Sequence, residues 1–136
     1  GYDGQAPALL EALAAPGAPG RDYPLAWQQA DGLRRFDHRP LVAALCADRA
    51  AGVPAAALAR GFLDALCRMA LDQCRALNAE GLVLSGGVFL NQYLLHGVTR
   101  LLEADGFAVY THRRVSPSDE GLALGQLAVA AAARRS

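Results

Sequence analysis

Lysine is absent: all thirteen basic residues of this 136-residue chain are arginine. Thirteen acidic residues cancel them, so no strong overall field draws the chain to DNA, RNA or an anionic membrane. Alanine is abundant too, and the arginine bias reads as codon preference. Cysteine is scarce and odd in number. Cys46, Cys67 and Cys74 form no C-x-x-C pair and no Cys/His ligand spacing, which argues against a zinc site or a disulfide framework and makes a reducing cytoplasm the default. The opening GYDGQAP has no basic region followed by an apolar one, so no signal peptide is expected. Long hydrophobic runs are missing as well, because the most apolar tract, Leu122 to Ala133, is too short to span a bilayer. Neither G-x-G-x-x-G nor G-x-S-x-G occurs. None of His38, His96 and His112 has an H-x-H or H-x-x-x-H partner.

What is present is a core. A hydrophobic fraction of 53% with 19% charged residues fits one folded α or α/β domain. ALLEALAA predicts a short helix, and the Pro/Gly alternation of APGAPGRDYP then breaks regular structure. YPLAWQ (23–28) and LRRF (33–36) predict two short strands around a QADG turn. RPLVAALCADRAAG predicts a helix with Pro40 in its first turn and Gly52 past its end.

From Pro54 onward, Leu58, Phe62, Leu63, Leu66, Met69, Ala70 and Leu77 recur at three and four. They predict a long amphipathic helix that places Cys67 and Cys74 toward the core. GLVLSGG predicts a strand, the segment from about Phe89 to Asp105 a helix closed by Gly106, FAVYT a second strand, and SPSDEG the start of a last helix with a basic end. Residues 53–136 therefore read α-β-α-β-α, with a parallel βαβ unit covered by helices on both faces, after a mixed part over residues 1–52. Two convincing strands are few for so much helix. The chain is expected to be the C-terminal piece of something larger, with an incomplete sheet.

Two junctions could carry chemistry. Ser85-Gly86-Gly87 stands at a strand-to-helix handover, where parallel α/β sheets bind ligands. Glycine there either makes a tight corner with φ > 0 or lets a ligand touch the backbone, with Asn91 close enough to offer its amide. Asp119 stands at the second such junction. Its carboxylate either ligates a metal or caps a helix in the S-x-x-D pattern of Ser116 to Asp119.

LSGGVFLN and THRRVSPSDEGLALGQ, with GYDGQAPALLEALA at the start and FDHRPLVAAL and ARGFLDAL in order between them, resemble the C-terminal end of the carbamoyltransferase of nickel-iron hydrogenase maturation (HypF type). The resemblance runs end to end and includes the Tyr2 to Glu11 spacing. It implies the actin-like, sugar-kinase-like (RNase H-like) ATP-binding α/β fold shared with the tRNA threonylcarbamoyltransferase family, of which residues 1–136 would be the second lobe only. It further implies an enzyme that turns carbamoyl phosphate and ATP into carbamoyl adenylate and passes the carbamoyl group to a C-terminal cysteine of a partner maturation protein.

Carried over by residue, Ser85, Gly86 and Gly87 would cradle the adenosine, with Asn91 near. Asp119 would be one ligand of a divalent metal, and Gly4 and Glu11 would approach the nucleotide from the other side. Glu120, Leu90 and Leu63 depart from the family's Gly, Gln and His, and its H-x-x-x-H metal ligands have no counterpart here. The isolated piece is therefore expected to be inactive without the rest of its enzyme. The alternatives are an O-carbamoyltransferase of secondary metabolism and a non-catalytic nucleotide-binding or interaction lobe.

Overall fold

The computed structural model describes residues 4–14 and 20–134. Tyr2, Arg135 and the first half of the expected Pro/Gly break lie outside them. The chain forms two compact units, residues 1–77 and 78–136, so the long helix belongs with the elements before it. The boundary at 52/53 read from the sequence marks the start of the α-β-α-β-α succession.

The first unit contains α1 (Gln5–Leu13), β1 (Ala26–Ala30), β2 (Leu33–Asp37), α2 (Arg39–Ala50) and α3 (Ala55–Leu77). β1 and β2 pair as an antiparallel hairpin, with Trp27 opposite Phe36. Asp31 (φ 53°) and Gly32 (φ 73°) make the two-residue turn, both in the left-handed region that matches strand twist. The Trp27 and Phe36 rings meet edge to face at 5.4 Å, and the Arg34 guanidinium lies 3.5 Å over the Trp27 ring. Arg34 also donates to the Asp72 carbonyl (3.1 Å) and Gln73 Oε1 (2.9 Å), tying the hairpin to α3. In α2, Pro40 occupies the first turn and Gly52 (φ 79°) follows the end, as the sequence predicts.

α3 is buried on two sides. Ala57, Gly61 and Ala65 form one stripe at a spacing of four, and Ala59, Leu63 and Cys67, continued by Cys74, form another about 200° around the helix. Ala65 joins Tyr23 and Leu41 in the core, with Leu25, Phe36, Ala44, Leu45, Leu58 and Phe62 packed against it. Small residues on the first stripe let the backbone around Arg21 come very close: a Cβ built on Gly61 would sit 2.5 Å from the Arg21 carbonyl. That segment is also held from α2. Arg21 donates to both Asp48 oxygens (2.9 and 3.0 Å) and the Tyr23 hydroxyl to one of them (3.0 Å). The Arg21 hydrogen bond holds the Asp48 carboxyl below the usual carboxylate range, with help from Tyr23. A carboxyl harder to protonate when folded stabilises the unit above about pH 4, and that contribution is lost on acidification. Leu77, expected on the apolar stripe, is exposed at the end of α3.

The second unit contains β3 (Gly81–Leu84), α4 (Gln92–Ala104), β4 (Ala108–Thr111) and α5 (Leu122–Ala133). Short 3-10 turns at Gly87–Leu90 and Asp119–Gly121 precede α4 and α5. β3 and β4 pair in parallel, from Gly81 opposite Ala108 to Leu84 opposite Thr111, with α4 as the crossover. This is the expected βαβ unit. α4 buries Leu94, Val98 and Leu102. It closes in a Schellman motif, with Gly106 N–H on the Glu103 carbonyl and Phe107 N–H on the Leu102 carbonyl. α4 starts later than Phe89, because the 3-10 turn takes the first residues after the glycines.

The expectation of helices on both sheet faces is not met among the described residues. Gly81, Val83, Ala108 and Tyr110 alternate onto one exposed face, with Val83 70% and Tyr110 62% exposed. α5 is apolar around its whole circumference except for Gln126, yet buries no residue. A helix of that composition ordinarily lies inside a protein. Among the described residues, no helix is long and apolar enough to cross a membrane.

Two outcomes follow. Gly61→Ala gains about 1 kcal/mol of helix propensity but must push a backbone carbonyl aside at about 1–3 kcal/mol. Chemical denaturation should therefore show net destabilisation, and a more stable variant would contradict the close packing. The isolated chain, with its bare sheet face and apolar α5, should self-associate. A stable monomer in light scattering at micromolar concentration would contradict that.

Candidate functional site

Parallel pairing brings the carboxyl ends of β3 and β4 side by side. Leu84 and Thr111 are the last register pair, so Ser85 and His112 come next on adjacent strands. There His112 Nε2 and Ser85 Oγ are hydrogen-bonded at 2.9 Å. One step further, Gly86 N–H donates to the Pro117 carbonyl at 2.8 Å and fastens the two post-strand loops together. Ser116 accepts from the Ser118 N–H (3.3 Å), and the two hydroxyls are hydrogen-bonded at 2.7 Å. These loops and one side of α5 enclose an open cavity of about 800 Å³. Its polar end carries Ser85, His112, Ser116, Ser118 and Asp119, and its apolar wall includes Leu122, Val129 and Ala133.

Ser85, Gly86 and Asp119, predicted from sequence as ligand-facing, are thus brought to one cavity. The double glycine divides its labour. Gly86 adopts φ 101°, ψ 158°, a conformation open essentially to glycine alone, although a Cβ there would touch nothing within 4 Å. It is a corner residue, and its amide is already bonded. Gly87 has no positive φ, and a Cβ on it would reach only the Ser118 Cβ at 4.0 Å. Neither backbone dihedral nor close packing in this unit demands glycine at 87. Gly87 itself does not line the cavity.

Asn91 is employed structurally. It is the N-cap of α4, in extended conformation, and its Oδ1 accepts from the Leu94 N–H at 2.9 Å, nearly buried and away from the cavity. Asp119 goes the other way. The S-x-x-D capping pattern does not form: Ser116 bonds to the Ser118 N–H, α5 begins only at Leu122, and no described residue gives the Asp119 carboxylate a hydrogen bond or ion pair. A single exposed carboxylate can contribute one metal bond. No group of three His, Cys, Asp or Glu side chains among the described residues converges on a metal position. Gly4 (φ 84°) is the N-cap of α1, and Glu11 lies within that helix, both in the first unit.

Of the departures from the family pattern, Leu63 is fully buried, while Leu90 and Glu120 are exposed. His112 and Gln126 were missed from sequence. The signal for His112 was the strand register, since it follows FAVYT as Ser85 follows GLVL. Gly86→Ala should cost about 1–3 kcal/mol of stability through its dihedrals, and Gly87→Ala no more than about 0.5 kcal/mol. Denaturant titration of both variants tests the assignment, and the reverse order would overturn it.

Comparison with known proteins identifies the family. Residues 1–126 match the family model described as carbamoyltransferase, Kae1-like domain, second subdomain. Carbamoyltransferase HypF2 of Cupriavidus necator is 34% identical over 95% of this chain and 19% of its own length. Carbamoyltransferase HypF of Rhodobacter capsulatus is 36% identical over 96% of this chain and 17% of its own. A crystal structure of full-length HypF in a phosphate- and nucleotide-bound form superposes with a TM-score of 0.80 at 26% identity, over 92% of this chain and 20% of that one. The chain thus spans about a fifth of the length of the proteins it matches. It belongs to the HypF-type carbamoyltransferase family, as the second subdomain of the Kae1-like domain.

Proposed function

We propose that this chain is one wall of the nucleotide site of an ATP-dependent carbamoyltransferase with the actin-like fold. The longer enzyme takes carbamoyl phosphate and ATP to carbamoyl adenylate and transfers the carbamoyl group to the C-terminal cysteine of a hydrogenase maturation protein, in the cytoplasm. Neither nucleic acid nor membrane takes part.

The observation that carries this reading is the pair of junctions joined by the Gly86–Pro117 hydrogen bond, with an unpartnered Asp119 carboxylate at the polar end of the cavity. The phosphate- and nucleotide-bound relative lends it support. In this proposal a divalent metal neutralises phosphate charge, and Asp119 supplies one of its oxygen ligands. The remaining ligands come from parts of the longer protein, since no group of three His, Cys, Asp or Glu side chains converges on a metal position among the described residues.

The chain's own contribution is positioning. The corner at Gly86 fixes the loop, Gly87 leaves its surface bare, and the α5 wall keeps water from one side of the ligand. Gly4 and Glu11 approach the nucleotide from α1, and the isolated chain is inactive for want of its other wall. Asp119→Ala in the complete enzyme should lose bound metal, measured by elemental analysis, and carbamoyl transfer, while circular dichroism stays native. Full metal content in that variant would exclude the ligand role.

A further inference from the structure

The Ser85–His112 pair is not explained by the fold. Both side chains are exposed, so their 2.9 Å hydrogen bond encloses no core and shields no buried polar atom. Both line the cavity beside Gly86 and Asp119. The Gly86 amide is already bonded to Pro117, while the Ser85 side chain lines the cavity at this strand end.

A lone serine hydroxyl rotates freely. One bonded to an imidazole nitrogen has its proton and lone pairs directed, whichever tautomer the ring adopts. Directing it beforehand removes part of the ordering cost of binding. The lining also selects a partner. Among the described residues it contains hydroxyls, an imidazole, an amide and a carboxylate but no arginine, a set suited to sugar hydroxyls and poorly suited to holding phosphate unaided.

We propose that Ser85 and His112 act as one unit that binds a ribose hydroxyl of the nucleotide, with His112 as the positioning residue that orients Ser85. This rests on the nucleotide reading above and names the part of the ligand that these residues take.

Calorimetric titration of the complete protein with ATP and with 2′,3′-dideoxy-ATP tests it. His112→Ala and Ser85→Ala should each weaken ATP binding about fivefold, the range of one net hydrogen bond. The double variant should be no weaker than the poorer single one, because the two groups form one interaction. His112→Gln, whose amide can replace the Nε2 contact, should return ATP affinity to within about twofold of the unsubstituted protein. None of these substitutions should change affinity for the dideoxy nucleotide. Unchanged ATP affinity in His112→Ala, additive losses, or an equal loss with the dideoxy nucleotide would overturn the inference and leave the nucleotide reading standing. If the unsubstituted protein binds neither nucleotide, both fall together.

Discussion

The hydrogen bond from Gly86 N–H to the Pro117 carbonyl is the constraint on which the cavity depends. Parallel pairing alone brings two strand ends together but leaves the following loops free to diverge. This bond joins them one step beyond the sheet, and it requires a backbone at residue 86 that only glycine adopts readily. Proline at 117 contributes its carbonyl while its ring limits the loop's own freedom. Asp119 follows two residues later, and Ser116 bonds to the Ser118 amide instead of capping at Asp119. Gly121 completes the turn at close quarters: a Cβ there would lie 2.9 Å from the Ser116 carbonyl.

The two units solve packing in different ways. In the first, a helix of 23 residues is buried on two sides, and its small residues let a loop backbone lie against it. Arginine does much of the tying, through Arg34 to the hairpin and Arg68 to the Tyr23 carbonyl at 2.9 Å. Bonds from a charged donor to a carbonyl or carboxylate are worth more than neutral ones, which suits a segment with few apolar side chains of its own. The second unit packs α4 on its two-stranded sheet and leaves the opposite face and α5 without cover in this chain.

Element type and order were legible in the sequence wherever periodicity was sustained. The spacing of α3, the βαβ succession and the Gly106 terminus all appear as read, because each is decided by local pattern. The two-sided burial of α3 was not legible, since alanine and glycine carry little hydrophobic signal and the stripe they form is defined by what approaches it. Nor was the cover of the strands: apolar runs looked buried on both faces, whereas the exposure of Val83 and Tyr110 depends on what else is present to pack there. At the candidate site, Ser85, Gly86 and Asp119 were read from their junctions, and the structure brings the three to one cavity. His112 escaped because no motif marks it: its place comes from the strand register, which sets Leu84 opposite Thr111. Asn91 was read toward a ligand, but as the residue before α4 it meets a stronger local demand, the orphan Leu94 amide.

The packing and the chemistry are incomplete in the same unit. α5 presents one flank to the cavity and is otherwise an apolar cylinder exposed to solvent, with Leu127 68% and Val129 71% exposed. A cavity wall so placed can hold a ligand in one geometry only if something else fixes the helix, because its own buried contacts are too few to do so. The proteins that match this chain are about five times longer, which is where such cover can come from. Whatever clamps α5 would cover its apolar surface and fix one wall of the cavity together, because both lie on the same helix.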